Sequence, residues 1–295
     1  MKIIFDRSAF HRERFGLLKD SHLLRLVQES KILVFHTATF IDETLRTADS
    51  RKPGAQDEIN RLWPFLTSIC NGGWFKPLLF GNPPAWKSVC DEVLDGGVRD
   101  HDWPLVPSSW RTNVEAKVTR FLEGSGPLPE LISTRRIYDQ IEQIKKENKA
   151  LRVELRENPT GTKNETLLEY YQSVVLDAAY LLIHRPAELP IKLPPLDSPQ
   201  TKFDAWKKDP SKFPHFTAFV GFLIYSLYDA EKNQNSPLDR NWQGDAEQLC
   251  FLVDVDLIIS SESRFMKRAF EALWQPSDKR MLTPEEFVDE LSGIQ

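Results

Sequence analysis

The sequence predicts an α/β fold: a parallel sheet flanked by helices, assembled from both chain ends, with a large, mostly helical insertion between them. Three observations predict it. Near the N-terminus, two short continuous apolar runs, Ile3–Phe5 and Ile32–Phe35, are separated by apolar residues at helical spacing. That is the pattern of strand, crossover helix and strand in a sheet covered on both faces. Near the C-terminus, a third run, Leu257–Ser260, lies between two helical segments. Most of the chain between these ends falls into helical patterns.

Each element has a local reason. Leu17, Leu18, Leu23, Leu24 and Val27 recur at helical spacing, and Thr37 or Thr39 can cap a helix over Phe40–Arg46. Asp57–Cys70 reads as helical. Residues 71–111 are rich in Gly, Pro and Trp and read as mostly irregular, with a short helix near Trp86–Leu94. Asn113–Leu122 is a helix stopped by Gly124 and Gly126. Ile137, Ile141, Ile144, Asn148, Leu151 and Leu155 form an a/d seam that ends at Asn158-Pro159-Thr160-Gly161. A second helix over Asn164–His184 should pack antiparallel on it; the sharper alternative is an intermolecular coiled coil. Proline-rich Pro186–Pro199 reads as a linker. Helices follow at Lys202–Lys208 and Phe213–Glu231, then a polar loop at Lys232–Gly244. Helices at Asp245–Leu252 and Arg264–Trp274 flank the third strand. Thr283, Pro284 and Glu286 open a last helix with a capping box. The core is expected from residues 1–48 and 232–295, and the helical insertion or elaboration from 49–231.

Composition excludes several classes. With 295 residues, 41% hydrophobic and 27% charged, the chain can bury a core, which argues against extensive disorder. Lys+Arg 38 against Asp+Glu 43 gives a net charge of -5, so any phosphate-binding surface must be local. Cys70, Cys90 and Cys250 have no zinc-ligand spacing and suit buried thiols in a reducing compartment. No apolar run is long enough for a membrane span, and the N-terminus reads as a strand instead of a signal peptide. A cytoplasmic protein with no membrane partner is expected. No GxxxxGK[ST], GxGxxG or HExxH is present, and Gly124-Ser125-Gly126 lacks the spacing of a nucleophile elbow.

Carboxylates at strand ends remain, where open parallel sheets collect functional groups. Asp6 ends the first strand, Glu43 lies one helical turn into the helix after the second, and Glu262 lies just past the third run. The helix from Asp245 spans roughly 13 Å at ~1.5 Å per residue, and the strand after it runs roughly 18 Å the opposite way at ~3.3 Å per residue. Asp245 and Glu262 should therefore share an edge. Asp254 and Asp256 should lie at the other edge, and Asp42 should point away as an outer or solvent-facing group.

Phe5-Asp6-Arg7-Ser8-Ala9, Glu43, Asp245 in Asp-Ala-Glu-Gln-Leu, and Leu257-Ile-Ile-Ser-Ser-Glu-Ser-Arg-Phe265 resemble the PIN-domain nucleases. Arg280–Phe287 is similar to that family's last strand and helix. The resemblance covers the two chain ends and leaves the middle uncovered. It implies metal-dependent phosphodiester cleavage, usually of RNA, with Asp6, Glu43, Asp245 and Glu262 in the four acidic positions and Ser8 and Ser260 supporting them. The fourth acid is Glu where the family commonly has Asp, and the extra mass before the third acid implies a substrate platform or a domain whose activity has been lost. Carboxylates within roughly 10 Å of one another repel unless joined by a cation, and Mg²⁺ or Mn²⁺ suits an all-oxygen site. Arg7, Arg12, Arg264 and Lys267 flank the acids and are candidate phosphate contacts. Lys145, Lys146, Lys207 and Lys208 read as solvated faces. Trp74, Trp86, Trp103 and Trp110 are either base-stacking platforms or packing anchors. The competing reading is a non-catalytic scaffold or RNA- or protein-binding module; the sequence leaves an inhibitory partner protein and the oligomeric state open.

Overall fold

The computed structural model describes residues 1–11, 13–49, 54–76, 92, 104–127, 146–147, 149–159, 165–184, 198–233, 242–275 and 277–294. Strands β1 (Lys2–Phe5), β2 (Leu33–Thr37), β3 (Gly73–Phe75), β4 (Leu257–Ile259) and β5 (Arg280–Leu282) form an all-parallel sheet in the order β3-β2-β1-β4-β5. No helix among the described residues is long and apolar enough to cross a membrane.

Strand side chains alternate between two cores. Ile3, Phe5, Val34, Leu257 and Ile259 face one. Against it pack α1 (Glu13–Asp20), α2 (Leu23–Gln28), α3 (Ala38–Asp49), α4 (Ala55–Ile69), α5 (Ser108–Leu122) and α12 (Pro284–Ser292). Ile4, Phe35, Phe75 and Ile258 face the other, covered by α7 (Leu167–His184), α8 (Pro199–Lys208), α9 (Pro214–Lys232), α10 (Trp242–Cys250) and α11 (Phe265–Leu273). The continuous apolar runs of the sequence are thus strands buried on both sides. The predicted capping box at Thr283 is present, and Thr37 caps α3 through the Phe40 N–H at 3.0 Å.

Segment 49–231, read as an insertion or elaboration, supplies β3 and helices on both faces of the sheet. β3 itself corrects the expectation of irregular chain after residue 71. Glycine makes it possible: a Cβ on Gly72 would lie 2.7 Å from the Phe35 ring, and Gly73 has φ +110°. Trp74 and Phe75 then enter opposite cores, and three residues are too few to show an alternating pattern. Trp74 is buried edge-on against Trp63 and Trp110, which makes it a packing anchor. Trp86 and Trp103 lie outside the described residues.

The expected burial of Leu151 in a hairpin seam is not found. α7 packs on α9, and α6 (149–157) also meets α9. Leu151 of the seam is exposed, whereas Arg152, 3% exposed, turns inward. Ile137, Ile141, Ile144 and Asn148 lie outside the described residues. Arg152 pairs with Asp229 at 3.1 Å and sits 5.5 Å above the Phe265 ring, while Arg268 takes the other Asp229 oxygen at 3.1 Å. Arg156 donates to Ala230 O and Asn233 O, satisfying carbonyls at the end of α9. The inward residue of α6 is charged because α9 presents a buried carboxylate there. Arg152→Leu should lower unfolding free energy by about 3 kcal/mol in a denaturant titration, as breaking a buried pair does; a loss under about 0.5 kcal/mol would show that Arg268 alone suffices for Asp229.

At the amino edge of the sheet, buried His215 lies between two carboxylates. Its Nδ1 meets Glu92 Oε2 at 3.1 Å and its Nε2 meets Asp254 Oδ2 at 2.6 Å; Glu92 also accepts from the Phe216 N–H. Burial alone would lower the imidazole pKa, but the hydrogen bonds to Asp254 and Glu92 outweigh it and raise it to about 9. Because the folded value exceeds the unfolded one, this cation stabilises the fold fully below about pH 6.5, and the stabilisation is lost as pH rises through about 9. The melting temperature of the wild type should therefore fall more between pH 6.5 and 9.5 than that of His215→Gln. Parallel curves for the two proteins would contradict the buried imidazolium.

Candidate functional site

The two helical layers exchange at the centre of the sheet. The helices between β1 and β3 cover one face, which α5 completes after β3, and α7 through α11 cover the other. β1 and β4 are neighbours across that exchange, so the crevice beyond their carboxyl ends is the switch point of the fold. Asp6 stands at the end of β1, where its N–H donates to Ile259 O at 2.9 Å. Ser260 follows β4.

Asp6 is 7% exposed and carries several donors. Its Oδ2 accepts from Ser8 N at 3.1 Å, from the Ser8 hydroxyl, and from Ser260 Oγ at 3.0 Å. Its Oδ1 accepts from Gln248 Nε2 at 3.1 Å. Each serine has one hydroxyl proton, and Asp6 takes both, so the 3.3 Å approach of Ser8 Oγ to Ser260 Oγ is a packing contact. The serines complete the lattice as acceptors: Ser8 Oγ from Ser261 N at 2.9 Å, Ser260 Oγ from Glu262 N at 3.0 Å. Both hydroxyls therefore orient Asp6. Among the described residues, neither hydroxyl has a hydrogen bond to a histidine that could activate it as a nucleophile.

Glu43 on α3 and the first turn of α10, which carries Asp245, come from opposite layers and adjoin. α3 packs against α10, and a Cβ on Gly244 would lie 3.4 Å from Glu43 Oε1. Gly244, Asp245 and Gln248 lie within one turn of α10, so the helix segment that touches Asp6 also borders Glu43. Glu262 lies in the loop after β4, where its Oε1 accepts from Arg264 N at 2.6 Å. Among the described residues no group of three His, Cys, Asp or Glu side chains is arranged to hold a metal ion.

The other sequence candidates divide. Arg7 turns to α4 and pairs with Glu58 at 2.6 Å. Arg264 and Lys267 are exposed at the start of α11, one helical turn apart. Arg12 lies outside the described residues. Asp42 is buried, which excludes the solvent-facing alternative and leaves that of an outer group. Asp256 accepts from the Lys2 N–H at 2.7 Å and Asp254 binds His215, both at the amino edge; the four-residue offset from Asp256 to Ser260 amounts to about 13 Å.

Neighbouring titratable groups offer little nucleophilic chemistry. Burial pushes the Cys70 thiol up to about 11 and raises the Cys250 thiol well above its ordinary value, with Glu247 and Glu92 adding to the latter. Burial lowers His36 to about 4, so it is neutral while it meets Leu66 O at 3.0 Å.

Gln248 is the residue that sequence reasoning missed. It is 1% exposed, its amide nitrogen holds Asp6, and its Oε1 is buried with no hydrogen-bond partner among the described residues. The available signal was its position three residues after Asp245, on the same helix face. Comparisons with protein-family models, curated proteins and solved structures found no match.

The hydrogen-bond geometry has a direct consequence for mutagenesis. Every contact to the Asp6 carboxylate among the described residues is a donor, so while Gln248 keeps its orientation an asparagine amide would set N–H against N–H either way round. Asp6→Asn should cost about 1–3 kcal/mol of stability in a denaturant titration. Adding Gln248→Glu supplies an acceptor for the new donor and should recover part of that loss. A double variant no more stable than Asp6→Asn alone would refute the Asp6–Gln248 contact.

Proposed function

We propose that the protein is a divalent-metal-dependent phosphodiesterase of PIN-like fold that cleaves RNA at the carboxyl edge of β1 and β4. The observation that carries the reading is the convergence on α10: Gln248 binds Asp6, and Gly244 borders Glu43 within one turn of Asp245. These groups stand at the switch point of a parallel sheet, the usual place for a ligand in such folds. The donor set fits a hard cation, since it consists of carboxylate, hydroxyl and amide oxygens, and the Gln248 amide oxygen has no hydrogen-bond partner among the described residues. Asp6, Glu43, Asp245 and Glu262 would hold Mg²⁺ or Mn²⁺, which when bound acidifies a water and offsets charge on the attacked phosphate.

The chain's own residues have separate tasks in this reading. Ser8 and Ser260 fix the orientation of Asp6 through their hydroxyl protons. The Ser260 hydroxyl also anchors the loop that carries Glu262. Exposed Arg264 and Lys267 offer cationic contacts to RNA phosphates despite the net negative charge. Arg7, committed to Glu58, serves the fold instead. The high-pKa thiols Cys70 and Cys250 suit the reducing cytoplasm expected from the sequence.

One observation favours the second reading, a non-catalytic scaffold or RNA- or protein-binding module. The Asp6 Oδ2 atom is already saturated by protein donors, and Glu262 is folded onto its own turn. The two readings part on Asp245→Asn. That change keeps the side-chain shape in the first turn of α10 and should alter folding stability by no more than about 1 kcal/mol. Cleavage of single-stranded RNA with Mg²⁺ or Mn²⁺ should fall at least about 100-fold in the variant, and EDTA should abolish it in the wild type. Wild-type cleavage unaffected by EDTA, or full activity in Asp245→Asn, defeats the metal reading. Binding of RNA or a protein without any cleavage installs the scaffold.

A further inference from the structure

We infer that the outward face of α7 is a self-association surface, on which a second copy of this chain docks its own α7 antiparallel about a two-fold axis. The inference is independent of the chemistry at Asp6.

α7 is apolar on both sides. Its inner side buries Tyr170, Ala178, Ala179, Leu182 and Ile183, and the helix packs on α8 and α9. Its outer side carries Leu168, Leu176, Tyr180 and Leu181, with Leu168 64% exposed. These are four of the seven exposed large hydrophobic side chains among the described residues, so the exposed apolar surface is concentrated on one helix. Single apolar side chains scattered over a surface need no explanation, but a row of them marks an interaction site. No Lys or Arg occurs from residue 165 to 184, so the helix has no long cationic side chain of its own to cover the row. A surface helix sets a polar face against its apolar one, and a helix apolar on both sides belongs between two packed layers.

The polar residues among the apolar ones identify the occupant. Glu169, Ser173, Leu176 and Tyr180 are spaced 4, 3 and 4 apart on the exposed side, the seam of a helix pair. Place a two-fold axis between residues 174 and 175 and run the second helix antiparallel. Leu176 then faces Ser173 of the second copy, where the small side chain leaves room for it. Leu168 faces Leu181, Gln172 faces Asp177 and Glu169 faces Tyr180. Each acid meets a neutral donor, the Gln172 amide or the Tyr180 hydroxyl. Both side-chain acceptor bonds of Glu169 to Thr166 use Oε2, which leaves Oε1 for that hydroxyl. A parallel pair would instead set Glu169 against Glu169 and Asp177 against Asp177. The face is therefore complementary to itself in one direction only, as a closed two-fold interface requires. α7 has 18 residues and is about 27 Å long. One such helix pair is a small interface, which sets the expected dissociation constant at about 1–100 μM.

Sedimentation velocity on the full chain over that concentration range should show a monomer–dimer equilibrium. Leu176→Glu puts a charge into the seam at two symmetric places and should weaken the dimer at least about 30-fold. Gln172→Lys opposite Asp177 should tighten it about 3–10-fold, and Gln172→Glu should weaken it by a similar factor. In a parallel pair Gln172→Lys would set lysine against lysine and weaken the dimer, so the sign of that effect reads the direction of docking. All three changes are at exposed positions, and circular dichroism of the monomers should show an unchanged fold. A monomer at every concentration overturns the inference; a lower melting temperature for monomeric Leu176→Glu would then show that another part of the same chain covers the face. A dimer that Leu176→Glu leaves intact, or one that Gln172→Lys weakens, overturns it as well.

Discussion

Parallel pairing is the constraint on which the rest of the structure depends. A parallel strand cannot be joined to its neighbour by a tight turn, so each of the four connections between the five strands must return over one face of the sheet. The chain makes its first returns over one face and its later ones over the other. The order β3-β2-β1-β4-β5 leaves β1 and β4 as neighbours that were laid down from opposite layers. Helices diverge there, and the carboxyl ends of the two strands open into a crevice. The placement of Asp6, Ser260 and Glu262 follows from that topology.

Within the crevice, hydrogen-bond arithmetic decides which groups are available. Two serine hydroxyls and a backbone N–H are spent on one oxygen of Asp6, leaving the other with a single amide donor. The serines, which in another setting would be candidate nucleophiles, become orienting groups. The glutamine, an unremarked residue in the sequence, holds Asp6 through its amide nitrogen. At the opposite edge, His215 has both ring nitrogens engaged by carboxylates, so a histidine that looks reactive in a list of residues serves as a buried cation.

The helical middle shows how a one-dimensional pattern misleads. The a/d spacing through Leu155 suggested a seam closed by the next helix. In the fold, Leu151 faces out and Arg152 faces in, because α6 meets α9 and its buried Asp229. The spacing described a periodicity that belongs to any amphipathic helix. It carried no information about the partner. Arg7 is a similar case: its position beside the first acid suggested phosphate binding, and its guanidinium instead bonds Glu58 fifty-one residues away.

Local sequence determined the elements whose cause is local. Continuous apolar runs are strands buried on both faces, Thr283 and Glu286 close a capping box, and Asp6 directly follows β1. The strand β3 escaped because its signal is two glycines, and their purpose is visible only against the Phe35 ring. Tertiary structure alone decided that α7 packs on α9, that Glu92 and Asp254 enclose His215, and that Gln248 reaches Asp6 across 242 residues of chain. The physical reason is range. Helix caps and side-chain periodicity are settled within a few residues, whereas a hydrogen bond between distant segments exists only after the sheet has fixed where each helix ends.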